Sequence, residues 1–224
     1  MIDCFIDKNN FNIIEGIRCG FLKDSHRTFP YDGVISFCGP QGSGKSLSAF
    51  RFMARLKQIY PHLTFVSNED LSGFTDYIPY ESPETIANVK TRGIILFLDE
   101  ITNMPSLTSL DSKNMPREWF SILNMQRKRE LLIITTCPVF QRISKAFREQ
   151  IDTVVLCSNF GSLQHNKYCK IDYDSLLNAE TSQDIIKGLK VERNHWFFHS
   201  REDYARFNTL TLIQNGKEIK NDEC

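Results

Sequence analysis

The chain has 224 residues, 41% of them hydrophobic and 24% charged, an ordinary globular composition and enough length for one α/β domain with additions. Lys plus Arg and Asp plus Glu both number 27, so no global basic field marks a nucleic-acid binder, and any such contact must come from a local patch or from several subunits together. The longest apolar runs, Gly93 to Leu98 and Leu131 to Ile134, are far too short to span a bilayer.

Seven cysteines with no C-x-x-C pair and no signal segment point to reduced thiols and a cytoplasmic setting. Cys157, His165 and Cys169 form a loose cluster whose spacing fits no common zinc pattern. There are no internal repeats and no low-complexity linker, so the whole chain reads as a single domain. It has an N-terminal extension (1–33), a core (34–157) and a C-terminal extension (158–224).

Weak strand signals at Cys4 to Ile6 and Phe11 to Ile14 precede a turn at Pro30 to Gly33. Val34 to Cys38 is short, apolar and rich in β-branched residues, the pattern of a buried strand. Directly after it, Gly39-Pro40-Gln41-Gly42-Ser43-Gly44-Lys45-Ser46 fits G-x-x-x-x-G-K-[ST] at every fixed position. From Ser46 to Tyr60, Phe50, Met53, Leu56 and Tyr60 recur at spacings of three and four, as on an amphipathic helix.

Strand, glycine loop and helix together make a triphosphate cradle. The glycines let N–H groups turn inward and the helix N-terminus adds partial positive charge. Gly39 to Ser46, with Leu47 beside them, are the expected ATP-binding residues. Lys45 is expected to reach the β- and γ-phosphates, and the Ser46 hydroxyl to bind Mg²⁺.

Leu63 to Val66 reads as a second strand, followed by a loop-rich stretch to Pro83 and a short helix over Glu84 to Lys90, capped by Ser82 or Glu84. Ile94 to Leu98 is a continuous apolar run, as expected of a central parallel strand buried on both faces. It ends in Asp99-Glu100. Two carboxylates at the C-terminal edge of such a strand, where a phosphate loop also sits, suit Mg²⁺ binding by Asp99 and activation of water by Glu100.

Thr102 to Lys113 is a polar loop. A helix is expected from about Pro116 to Arg129, with Asn114 as a cap and with Trp119, Ile122 and Leu123 on one face. Its terminal Arg127-Lys128-Arg129 suits either the helix dipole or a phosphate or DNA contact. Leu131 to Thr135 is another buried strand, and Thr135 and Thr136 at its end are candidates to contact the γ-phosphate or the water.

A helix over about Phe140 to Glu149, carrying Arg142 and Arg148, and a fifth core strand over Thr153 to Cys157 follow. The remainder holds strand-like pieces at Leu163 to Ile171 and His195 to His199 and a helix near Thr181 to Leu189. Trp196, Phe197 and Phe198 are expected to pack this tail against the core.

This series of motifs resembles the FtsK/HerA class of additional-strand P-loop ATPases. It is most similar there to small viral genome-packaging ATPases and to the N-terminal domain of zonular-occludens-toxin-like filamentous-phage assembly proteins. Carrying the resemblance are the phosphate loop, Leu98-Asp99-Glu100-Ile101, the Trp-bearing helix ending Gln-Arg-Lys-Arg, Leu-Ile-Ile-Thr-Thr and the arginine on the next helix, with a weaker match at Tyr204 to Thr209.

The resemblance implies a three-layer, RecA-like α/β fold with a mainly parallel sheet and a small α+β extension. It also implies a Mg-dependent ATPase working as a homo-oligomeric ring that translocates DNA, with a capsid as partner. The alternatives are phage assembly with a membrane partner and a nucleotide-gated loader. Lys45, Glu100, Thr136 and a trans-acting arginine finger, Arg148 with Arg127 and Arg129 behind it, take the catalytic roles; Ser46 and Asp99 take the Mg²⁺. Where the family has a glutamine after the threonines, this chain has Cys137, with Gln141 further on.

Overall fold

Runs of β-branched and large apolar residues dominate the strands, and their burial explains the sheet. In the computed structural model, described for Phe29 and residues 31–71, 73–104, 107, 116–171 and 188–200, β1 (Gly33–Cys38), β4 (Ile94–Leu98) and β5 (Leu131–Cys137) are buried at every position. That is the state of strands covered on both faces. With β2 (Thr64–Ser67), β3 (Tyr77–Pro79), β6 (Ile151–Phe160), β7 (Leu163–Ile171) and β8 (Leu189–Phe198) they form one sheet of order β3-β2-β4-β5-β1-β6-β7-β8.

The pairs from β3 through β6 are parallel; β6-β7 and β7-β8 are antiparallel. The strand order places β5 between β1 and β4, so the strand that feeds the glycine loop is not adjacent to the strand that ends in Asp99.

Alternation along each strand sends side chains to two apolar layers. Ile95 and Phe97 pack with Phe50, Met53 and Leu56 of helix α1 (Lys45–Ile59). Ile94, Leu96 and Leu98 pack on the opposite face with Ile86 of α2 (Pro83–Asn88), Trp119 and Ile122 of α3 (Arg117–Arg129) and Phe147 of α4 (Lys145–Arg148). Helices on both faces of one sheet give a three-layer α/β fold. Each parallel strand delivers its C-terminal end to the same edge, and that edge carries Gly39, Asp99 and Thr136.

Several expected elements differ in detail. β3 was expected as loop. It is a three-residue strand that ends in Pro79, tolerated because β3 lies at the sheet edge. The N-cap of α3 is Pro116, while Asn114 lies outside the described residues.

The expected helix over Phe140 to Glu149 is split into a 3-10 turn at Phe140–Arg142 and the single turn of α4. The Ser144 N–H donates to the Leu107 carbonyl at 2.9 Å rather than continuing a helical ladder. β6 extends beyond the expected Thr153 to Cys157 at both ends, β8 starts at Leu189 and ends at Phe198, one residue short of the expected His195 to His199, and β7 keeps the expected bounds.

Of the helix expected near Thr181 to Leu189, residues 181–187 lie outside the described residues and Leu189 opens β8. The aromatic tail packs only in part: Phe197 is 8% exposed, but Trp196 is 48% and Phe198 69%, because alternate strand residues face opposite sides. The signals at Cys4 to Ile6, Phe11 to Ile14 and Tyr204 to Thr209 also lie outside the described residues.

Candidate active site

The glycine loop connects β1 to α1 at the C-terminal edge of the sheet. Gly39, Gly42 and Gly44 all have positive φ, +156°, +76° and +78°, conformations that a side chain disfavours. A Cβ on Gly39 would lie 2.6 Å from the Cys157 carbonyl, so the loop passes too close to β6 for any larger residue.

Gly44 caps α1 with no side-chain hydrogen bond, which leaves first-turn N–H groups for an anion. Ser43 Oγ is buried with no hydrogen-bond partner among the described residues, an orphan that a phosphate oxygen would satisfy. The Lys45 ammonium, largely buried, donates to the Pro40 carbonyl at 3.0 Å across the loop.

Ser46, Asp99 and Thr136, from α1, the end of β4 and β5, meet on that edge. Ser46 Oγ donates to the two Asp99 carboxylate oxygens at 2.9 and 3.1 Å. Thr136 Oγ1 donates to Asp99 Oδ1 at 2.6 Å and accepts the Glu100 N–H at 2.8 Å.

Glu100 itself sits at φ +48°, an uncommon region for a side-chain-bearing residue and a place where sites store strain. Its Oε2 accepts from the Asn103 amide at 2.8 Å. Burial raises the Asp99 carboxyl above its ordinary value, the Thr136 and Ser46 hydrogen bonds lower it, Glu100 raises it further and Lys45 opposes. Glu69 is raised by burial and then by Asp99, Glu100 and Asp70. This edge therefore concentrates negative charge, and a bound cation would relieve it. The donor set, a serine hydroxyl and a carboxylate, suits Mg²⁺.

Sequence reasoning missed four amides that hold this constellation. Asn68, at the end of β2, pairs both ways with the Asp99 backbone: Asp99 N–H donates to Asn68 Oδ1 at 2.8 Å, and Asn68 Nδ2 donates to the Asp99 carbonyl at 3.0 Å. From the antiparallel strands, Asn159 reaches the Gly42 carbonyl and Gln164 the Ser43 carbonyl, at 3.5 and 2.8 Å. Asn103 holds Glu100. No motif announces such residues; Gln164 alone carries a signal, a polar residue at a buried strand position, while Asn68, Asn103 and Asn159 are exposed.

The expected arginines lie elsewhere. Arg127 and Arg129 end α3 just before β5, and Arg148 ends α4 just before β6. All three are thus at the edge of the sheet opposite the glycine loop. Arg129 is committed to structure: its guanidinium donates to the carbonyls of Ile86, Val89 and Ala87 at 2.8, 2.7 and 3.1 Å, closing the C-terminal end of α2.

Arg127 is exposed. Arg148 is half-buried with no hydrogen-bond partner for Nε among the described residues, and burial lowers its pKa. Cys137, where the sequence resemblance would place a glutamine, is buried with its sulfur 3.1 Å from that of Cys38. It packs in the apolar layer that holds Ile133 and Ile143, and Thr135 Oγ1 is buried and unpartnered among the described residues.

The N-terminal domain of zonular occludens toxin from Neisseria meningitidis superposes with a TM-score of 0.58 at 14% identity, over 77% of this chain and 97% of that one. The likeness is one of fold, a three-layer α/β architecture around a mainly parallel sheet. Two other solved structures align less fully. The genome-packaging NTPase B204 of Sulfolobus turreted icosahedral virus 2, in complex with ATP-gammaS, gives a TM-score of 0.44 at 12% identity over 58% and 77% of the two chains. The flagellar accessory protein FlaH of Methanocaldococcus jannaschii gives 0.43 at 14% over 74% and 91%. No protein-family model and no curated protein matches the chain.

Proposed function

We propose that this P-loop domain is a Mg²⁺-dependent ATPase, and that a homo-oligomeric ring of it uses hydrolysis to translocate DNA, filling a viral capsid. The observation that carries the hydrolytic reading is the Thr136 hydroxyl, which joins the Asp99 carboxylate to the Glu100 N–H opposite Ser46. One strand end is thereby given both a cation ligand and a carboxylate free to act as a base.

The chain's own residues divide the work. Loop and first-turn N–H groups bind the phosphates, and Lys45 exchanges the Pro40 carbonyl for β- and γ-oxygens. Glu100 accepts the proton of the attacking water at its carboxylate, steadied by Asn103. Ser46 and Asp99 would hold Mg²⁺, which would supply charge neutralisation to the triphosphate. Arg148, with Arg127 as the second choice, serves a neighbouring copy as the trans finger, since both stand across the sheet from their own loop.

Phosphate release measured with and without double-stranded DNA, across a salt series, tests the motor reading. DNA should raise the rate several-fold, with the stimulation lost as salt rises. An unchanged rate at every salt concentration would contradict DNA translocation while leaving the ATPase itself standing.

A further inference from the structure

Gln164 lies on β7, outside the strand-loop-helix unit that forms the phosphate cradle, and is fully buried. Its Nε2 donates to the Ser43 carbonyl at 2.8 Å and to Asn166 Oδ1 at 3.0 Å, and its Oε1 lies 3.2 Å from His199 Nε2. Both Nε2 partners are acceptors, which fixes the amide's orientation and makes His199 the donor to Oε1. Asn166 Oδ1 also accepts from Ser48 Oγ at 3.2 Å. The loop and the first turn of α1 are therefore tied to one antiparallel strand. Gly44 answers the same contact: a Cβ there would overlap Gln164 Oε1.

A trans peptide holds its C=O and N–H in one plane, pointing in opposite directions, and the chain has no cis peptide among the described residues. Drawing the Ser43 carbonyl toward Gln164 therefore points the Gly44 N–H the other way, away from β7. We infer that Gln164 is a positioning residue that presets the Ser43–Gly44 peptide, and with it the Gly44 N–H, for the triphosphate. This rests on the nucleotide reading above for its consequence, but the orientation of the peptide does not. Because the contact acts on phosphates in ground and transition states alike, its loss belongs in binding and not in turnover.

The test uses Gln164→Leu and Gln164→Glu in the full chain. Gln164→Leu should weaken binding of Mg-ATP about tenfold, the loss of one buried hydrogen bond, with kcat at saturation within about twofold. Gln164→Glu presents an acceptor to the Ser43 carbonyl at neutral pH but a donor once protonated. Measured against the wild type at each pH, its affinity for ATP should therefore recover as pH falls toward 5, by about the factor it has lost.

Deuterium exchange should be faster across residues 42–45 of Gln164→Leu than of the wild type, with or without nucleotide. Should the leucine variant not fold, the pH series on the glutamate variant decides the matter alone. Wild-type affinity in both folded variants, or kcat lost at unchanged affinity, would overturn the inference, as would unaltered exchange in the loop. A wild type that binds no ATP yet shows the exchange difference would sink the nucleotide reading and spare the positioning of the peptide.

Discussion

At the scale of residues, charge and burial decide what this site can do. Burial raises the Asp99 carboxyl above its ordinary value and the Thr136 and Ser46 hydroxyls that donate to it oppose the rise, so a cation bound there would favour the charged form. A second group makes the fold itself sensitive to acid. His195 is pushed down to about 4 by burial, with Arg51 and Arg193 adding to the effect.

A histidine whose folded pKa lies below its unfolded value stabilises the fold while it is neutral. That contribution is complete above about pH 6.5 and is lost as pH falls from 6.5 toward 4, where the unfolded chain binds the extra proton. Thermal unfolding of His195→Gln should show a flatter acid limb than the wild type. The difference should be roughly 1–2 kcal/mol at about pH 5, discounted for partial exposure, and each kcal/mol is worth about 2–4 °C at this chain length. Parallel melting curves for the two proteins across that window would show that His195 titrates normally.

At the scale of elements, the strands that could be read from sequence were those with nothing to hide. Ile94 to Leu98 and Leu131 to Ile134 are continuous apolar runs because both faces are covered, and the glycine loop between β1 and α1 carries its chemistry in its spacing. Other elements depended on distant partners. β3 is short, half exposed and ends in proline, so its only strong reason to be a strand is the neighbour Thr64–Ser67. The split between Phe140–Arg142 and α4 is set by the Leu107 carbonyl, far off in sequence. Asn68 and Gln164 act across 31 and 121 residues, separations at which a single sequence carries no pattern.

Arg129 shows the same limit from the other side. Its place in a basic helix end suggested a dipole or phosphate role, but its guanidinium closes the end of α2. Arg129→Ala should strip three carbonyls of their donor and lower stability by about 1–3 kcal/mol, read as a drop in melting temperature, with ATP affinity unchanged at a temperature where the variant is folded. A variant of unaltered stability that had lost turnover would return Arg129 to the list of fingers.

At the scale of the whole molecule, the sheet is a scaffold with two unlike edges. The edge carrying the loop, Asp99 and Thr136 has its carboxylates and phosphate-binding groups in place, while Arg127 and Arg148 sit at the opposite edge. A ring in which the second edge of one copy meets the first edge of the next would complete the site, and near-zero net charge is compatible with several modest patches summing around a pore.

Mixing experiments address this arrangement. Arg148→Ala and Lys45→Ala should each be inactive alone, and their mixture should regain a measurable fraction of wild-type phosphate release, since some interfaces would combine an intact loop with an intact arginine. A mixture no more active than its parts would argue against Arg148 as a trans finger. The antiparallel β6–β8 unit, joined to the loop through Gln164 and Asn159, gives the loop-bearing edge a second brace that the core alone does not provide.

Glu100 has the proposed role of activating water at a site assembled from the loop, Asp99 and Thr136. Its most direct test is steady-state phosphate release from saturating Mg-ATP by Glu100→Gln, with ATP affinity measured on the same preparation. Turnover should fall by about two orders of magnitude or more, as for loss of a general base, while affinity stays within about threefold of the wild type, a shift well under 1 kcal/mol. Turnover preserved at unchanged affinity would contradict the account.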